Sequence, residues 1–231
     1  MAKLSVDQTL SKAKSFAKKG EIEEAQKLYN NVLEAFPKNG RAKKGLDAIR
    51  KLNARADVQN PPQELLIRLM KCYQNGRFSD AEKVAAFITQ NFPNHQFAWK
   101  ILGAVLGATG KESEALNANQ TAVLLSPQDS EAHNNLGITL KGLGRFEDAA
   151  ASCEKAIKIN PTFAEAHCNL GITLKKLGRS EEALASYRQA ITAKPDYAEA
   201  YYNLGITLQG LDRLDKAEAS FKKTIAIKPN F

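Results

Sequence analysis

A 34-residue period constrains this chain more than any other feature. The hexapeptide Asn135-Leu136-Gly137-Ile138-Thr139-Leu140 returns as Asn169 to Leu174 and again as Asn203 to Leu208. Residues 130–163 and 164–197 are identical at 20 of 34 positions, and 164–197 and 198–231 at 17. Carried backward, the frame sets Leu102-Gly103 over Leu136-Gly137, Ala115 over Ala149 and Pro127 over Pro161. One more step reaches Gly76, Ala81 and Pro93, where Arg68-Leu69 replaces the Leu-Gly pair. A last unit lies out of phase with the others and holds Gly20, Ala25, Tyr29, Val32 and Pro37. A period of this length indicates a stack of supersecondary units rather than a single globule.

Within one period the residues specify two helices. In 164–197, Ala166, Leu170, Ile172 with Thr173, Leu174 and Leu177 recur at helical spacing and form one apolar stripe. Gly178 ends this helix, because glycine takes the left-handed C′ conformation at little cost. Ser180-Glu181-Glu182 reads as an N-cap followed by an acidic first turn. Ala183, Tyr187, Ala190 and Ile191 form the buried face of the second helix, and Pro195 stops it. Gly171 and Ala183 are expected where the two helices cross, with Tyr187 and its equivalents filling the gap toward the next unit. A single hairpin of this kind leaves its apolar faces open, so neighbours must stack to bury them.

Each unit resembles a tetratricopeptide repeat, whose pattern is W-x2-L-G-x2-Y, then a small residue, an aromatic residue, Ala and Pro. Trp99-Lys100-Ile101-Leu102-Gly103 carries the opening of that pattern. Ala149, Ala183 and Ala217, then Cys153, Tyr187 and Phe221, then Pro161, Pro195 and Pro229 carry the rest. The resemblance covers 6–39 and 62–231 and implies an all-α, right-handed solenoid of stacked antiparallel helix pairs. It also implies that first helices line the concave side and second helices the convex side. The expected organisation is an N-terminal helical unit over 1–52, a linker over 53–61 and five repeats, 62–95, 96–129, 130–163, 164–197 and 198–231. Arg41 to Leu52 reads as a third helix with Ala42, Leu46, Ile49 and Leu52 apolar. That segment either makes 1–52 a separate dimerisation or docking piece, or simply extends the first repeat. The last repeat stops at Pro229-Asn230-Phe231 without a polar capping helix, leaving Leu214, Phe221 and Ile225 near an open end. Either the chain continues in a longer protein, or that end pairs with a second copy or a partner.

Charge and composition narrow the function classes. The 231 residues include 33 basic and 25 acidic side chains, a net +8. Residues 1–60 hold 13 basic and 7 acidic side chains, so most of the excess is N-terminal. There the lysines are interleaved with Glu21, Glu23, Glu24 and Glu34 and have few aromatic neighbours, which reads as a solvated face rather than a nucleic-acid surface. No apolar run is long enough for a membrane span and no signal peptide is visible, so no membrane partner is expected. The scattered Cys72, Cys153 and Cys168 suit a reducing, cytoplasmic setting.

Catalytic chemistry finds little material. His133 and His167 recur at one repeat position, shared with Trp99 and Tyr201, and read as packing spacers. Cys168 adjoins His167, but no zinc-ligand spacing is present, and Cys72 and Cys153 read as core thiols. No phosphate-binding loop occurs, so neither enzyme activity nor a cofactor or metal is expected.

The candidate site is a groove. Asn135, Asn169 and Asn203 occupy the sixth position of three successive repeats, although asparagine is a mediocre helix former. Either these amides bond the neighbouring repeat, or they form a ladder that offers a donor and an acceptor to an extended peptide backbone. The row resembles the asparagine ladder of the O-linked N-acetylglucosamine transferase superhelix. Three residues on come Ile138, Ile172 and Ile206, and three further Lys141, Lys175 and Gln209. Asn134, Tyr202 and Lys100 complete the candidate set. These rows suit an extended segment with alternating apolar and acidic side chains. The ninth repeat position is Ala104, Ile138, Ile172 and Ile206, and Lys100 alone matches, so the carboxylate clamp for chaperone tails is not expected. The expected function is a scaffold that binds a protein or peptide. The alternative is the substrate-selecting region of a longer glycosyl-, sulfo- or methyltransferase.

Overall fold

The structure, a computed structural model, describes residues 5–19 and 21–230, and the side chains of all of these except 50–59. Gly20 and the side chain of Leu52, both used above, lie outside the described residues. All regular structure among the described residues is helical. The chain divides into two compact units, 1–61 and 62–231.

The first unit contains α1 (Val6–Lys18), α2 (Ile22–Ala35) and α3 (Gly40–Gln59). Ser5 opens α1 with a reciprocal capping box to Gln8. Leu10, Ala13, Ala25, Tyr29, Val32, Ala42, Leu46 and Ile49 form a core shared by all three helices. Gly45 is required on α3 because a Cβ there would enter the Tyr29 ring. The linker expected over 53–61 does not appear as such, since α3 continues to Gln59. The segment from Asn53 to Gln59 contains no glycine or proline and includes two alanines, an arginine and a glutamine, which are good helix formers. The chain leaves the helix only where Pro61 disfavours helical geometry in the residue before it.

The second unit repeats one hairpin five times: α4 (Gln63–Gln74) with α5 (Phe78–Asn91), α6 (Gln96–Ala108) with α7 (Glu112–Leu125), α8 (Ser130–Gly142) with α9 (Phe146–Ile159), α10 (Ala164–Lys176) with α11 (Ser180–Ala193), and α12 (Ala198–Gly210) with α13 (Leu214–Ile227). Gly76, Gly110, Gly144 and Gly178 take φ between 67° and 77° at the hairpin turns. In the last repeat Asp212 takes the same place at φ 57°. Aspartate is among the few non-glycine residues that visit this region. Ser180 does not cap α11 but is its first residue; Arg179 holds the cap position and pairs with Glu182 instead.

The packing sets the curvature. Each second helix except α13 packs between its own first helix and the next first helix. First helices also touch one another, α4 with α6, α6 with α8, α8 with α10 and α10 with α12, whereas among the described residues successive second helices do not. A layer in continuous contact lies inside a curve, and a splayed layer lies outside. The first helices therefore line the concave side of this right-handed solenoid.

Glycine at the eighth repeat position permits the close approach. A Cβ on Gly171 would lie 2.5 Å from the Tyr187 ring, and one on Gly205 2.6 Å from that of Phe221. The expected crossing of Gly171 with Ala183 is thus a seat for the aromatic ring. Gly171→Val is expected to destabilise the array by about 2 kcal/mol through overpacking. Gly210→Ala is the control, because its Cβ would meet nothing within 4 Å. Denaturant titration of the two variants checks this, and equal stability would refute it.

Candidate functional site

The concave layer presents the three rows picked out by the sequence. Ile138 is 42% exposed, whereas Ile172 and Ile206 are half-buried, Ile172 against the core. Lys175 and Gln209 are exposed and Lys141 is half-buried. Burial, and then the charge of Lys176, lower the Lys175 ammonium from its ordinary value. Tyr202 is 39% exposed and its ring tilts against Phe221, 6.1 Å between centroids.

The asparagines divide by what their amides meet. Asn169 Nδ2 donates to Asn134 Oδ1 at 3.1 Å, and Lys141 Nζ donates to Asn169 Oδ1 at 3.2 Å. Both ends of that amide are thus engaged within the protein, and the row acts here as a stitch to the preceding repeat. Asn203 repeats half of this pattern: Nδ2 donates to the Glu199 carbonyl at 2.9 Å and lies 4.0 Å from Cys168 Sγ. Asn135 makes no side-chain hydrogen bond among the described residues, and the reason lies in its neighbour. The position that holds Asn134 and Cys168 in the later repeats holds Lys100 before Asn135. An ammonium has no acceptor to offer an amide N–H.

Lys100 and Asn134 lie away from the open groove surface expected for them. The Lys100 side chain is 13% exposed, and Nζ donates to Asp129 Oδ2 at 2.9 Å and to Glu131 Oε2 at 2.6 Å. Gln96 Nε2 donates to the same Asp129 oxygen at 2.6 Å, and Asp129 Oδ1 caps α8 by accepting from the Ala132 N–H at 3.1 Å. Burial alone would lower the Lys100 ammonium, but the two carboxylates outweigh it and raise the group above its ordinary value. Burial likewise works against the Asp129 carboxylate, and its bonds to Lys100, Ala132 and Gln96 hold it below the usual range. Asn134 is 6% exposed and faces the next repeat. The sequence reading overlooked Asp129 and Glu131, whose pairing with Lys100 spans about one repeat and leaves no local signal.

Three recurring rings tie α6, α8 and α10 to the turn before each of them. Trp99 Nε1 donates to the Pro93 carbonyl at 2.7 Å. His133 Nε2 lies 3.0 Å from the Pro127 carbonyl and His167 Nε2 2.9 Å from that of Pro161. A carbonyl only accepts, so each imidazole carries its proton on Nε2. Cys153 and Cys168 are buried, and burial pushes both thiols up to about 12, far from a nucleophilic thiolate. Among the described residues no three metal-ligating side chains cluster, and no helix is long and apolar enough to cross a membrane.

One concave feature escaped the sequence reading. Asn119 stands 34 residues before Cys153 and 68 before Tyr187, at the repeat's aromatic position. It is fully buried; Nδ2 donates to Thr139 Oγ1 at 3.0 Å and Oδ1 has no hydrogen-bond partner. Beside it opens a depression of about 280 Å³, bounded by Tyr73, Ala104, Gly107, Ala108, Asn135 and Ile138. The signal was present as an asparagine in an aromatic row. A separate concavity of about 780 Å³ in the N-terminal unit gathers Lys14, Lys18, Arg41 and Lys44 around Leu10 and Tyr29.

Tetratricopeptide repeat family models match residues 130–163 and 198–231. Related repeat models match 173–212, 152–185 and 10–46. The search of curated proteins found no match. Among solved structures, TTC0263 from Thermus thermophilus, described as "a thermophilic TPR protein", is 24% identical, with a TM-score of 0.63 over 73% of this chain and 92% of that one. The protein MamA from Desulfovibrio magneticus RS-1 is 17% identical, with a TM-score of 0.63 over 72% and 94%. YrrB, described as "a TPR protein with an unusual peptide-binding site", is 22% identical, with a TM-score of 0.56 over 70% and 84%.

Proposed function

Because this chain belongs to the tetratricopeptide repeat family, we propose that it is a non-enzymatic scaffold whose concave layer binds an extended segment of a partner protein. One observation carries this reading. The unengaged Asn135 amide, the open Ile138 side chain and the exposed Lys175 stand on one continuous layer of first helices. An extended peptide needs backbone donors and acceptors met at intervals, and side-chain contacts on alternate residues. The asparagine row supplies the first at Asn135, the isoleucine row supplies apolar contacts, and Lys141 and Lys175 favour acidic side chains in the ligand. Each contact is modest, and affinity comes from several repeats engaged together. Residues 61–231 hold 20 basic and 18 acidic side chains, a balance that suits a polypeptide better than a polyphosphate backbone. That YrrB is described as peptide-binding supports the same use of a related fold.

The test uses random peptides displayed on phage and selected on the full chain. Ile138→Glu, Ile172→Glu and Ile206→Glu together are expected to weaken the selected peptides at least about tenfold. Unchanged affinity in a variant that is still helical by circular dichroism would overturn the reading.

A further inference from the structure

We propose that the depression beside Asn119 is an anchor pocket for one aromatic side chain of the bound peptide, a ring with a hydrogen-bonding tip such as tyrosine. The proposal rests on the groove reading above and deepens it. It starts from a comparison the chain makes with itself. In repeat 164–197 the space between Gly171 and Thr207, whose hydroxyl donates to the Asn203 carbonyl, belongs to Tyr187, which is fully buried with its ring on Gly171. The equivalent positions in repeat 96–129 and the repeat that follows are Gly103, Asn135 and Thr139, and the residue among them is Asn119. Asn119 still reaches the next repeat through Thr139, yet it brings no ring. The glycine that seats the Tyr187 ring in repeat 164–197 is kept here, and the shorter Asn119 amide lies on it in place of a ring.

The rows of the groove are reduced at the same place. Ala104 stands where the next three repeats carry isoleucine, and Gly107 where they carry Lys141, Lys175 and Gln209. Small residues at both positions open the depression toward the concave side. Its volume of about 280 Å³ is at the low end for a ligand pocket and suits one bulky side chain. Tyr73 supplies an aromatic wall and Ile138 an apolar one. The polar group within reach is the Asn135 amide, which has no side-chain hydrogen bond among the described residues; the Asn119 oxygen, also without a partner, is turned onto Gly103 and sealed from solvent. An aliphatic side chain would leave the Asn135 amide unpaired; a phenol or an indole N–H would meet it.

The experiment uses the phage-selected peptides and a variant built from the chain's own residues. Ala104→Ile with Gly107→Lys gives repeat 96–129 the side chains of Ile138 and Lys141, so folding is preserved by precedent. Ala108→Lys alone, the residue found at Lys176, is the second variant. The expected result is a selected consensus containing tyrosine or tryptophan. Both variants are expected to weaken these peptides at least about tenfold. Replacing the peptide's aromatic residue by alanine should cost as much on the wild type and little on the Ala104→Ile, Gly107→Lys variant, the non-additivity that marks a direct contact. Peptides that lose affinity on the triple isoleucine variant, yet lack an aromatic residue or bind both pocket variants normally, would overturn the pocket and leave the groove standing. Peptides indifferent to the triple variant would overturn both.

Discussion

Tyr187→Ala is expected to destabilise the array by about 3–5 kcal/mol, the usual cost of deleting a buried aromatic side chain. Tyr187 has the largest side chain among the fully buried residues. Its ring closes against Gly171 in its own hairpin and belongs to a core that includes Cys168, Leu184, Ala200 and Leu204. The substitution leaves a cavity at a junction of three helices, where Gly171 has no side chain to fill it. In a solenoid each repeat depends on its neighbours, so the damage should concentrate locally. Hydrogen exchange should show lost protection in α10 to α13, while α4 to α6 change little. Uniform loss across all five repeats, or stability within about 1 kcal/mol of the wild type, would contradict this account. Asn119→Ala, at the equivalent place, removes far less volume and should cost visibly less.

Lys100→Met is expected to cost about 2 kcal/mol, because it keeps the aliphatic stem and removes the charge that satisfies a largely buried carboxylate. Asp129 is left with Gln96 and the Ala132 N–H, and its side chain is only 17% exposed. Glu131 is 64% exposed and returns to water, so the cost stays below that of breaking a fully buried pair. The pH dependence has a definite sign. Asp129 is held below its ordinary range in the folded protein, so its contribution is complete above the unfolded value of about 4. It is lost as pH falls through the lower folded value. Lys100 is raised, so its contribution holds below about 10.4 and fades only as pH rises through the raised folded value. Between those limits the pair is complete. The wild type should therefore lose melting temperature on acidification below about pH 4 more steeply than Lys100→Met does. Parallel acid limbs would show that the pair contributes nothing.

The groove rows were legible because they are strictly periodic. A side chain at a fixed position of a 34-residue unit returns to the same face of the same layer, so the sequence alone groups Asn135, Ile138 and Lys141 with their equivalents. What each member does was not legible in the same way. Asn169 and Asn135 stand at identical positions, yet one is engaged at both ends and the other is not. The difference lies in residues a full repeat away, Asn134 in one case and Lys100 in the other.

The sequence by itself determined the repeating hairpin, the helix ends at glycine and proline, and the concave placement of the first helices through the resemblance. These are local or periodic properties. Helical spacing sets the apolar face, and glycine or proline interrupts a helix whatever surrounds it. Only the tertiary structure decided which polar groups are consumed in holding the repeats together. It turned Lys100 from a groove cation into an inter-repeat ion pair, made Asn169 a stitch, and left an opening where Asn119 replaces a ring. It also carried α3 through the segment that composition suggested was a linker. Hydrogen bonds and cavities depend on the distances between residues about 30 positions apart, and those distances exist only once the hairpins have stacked.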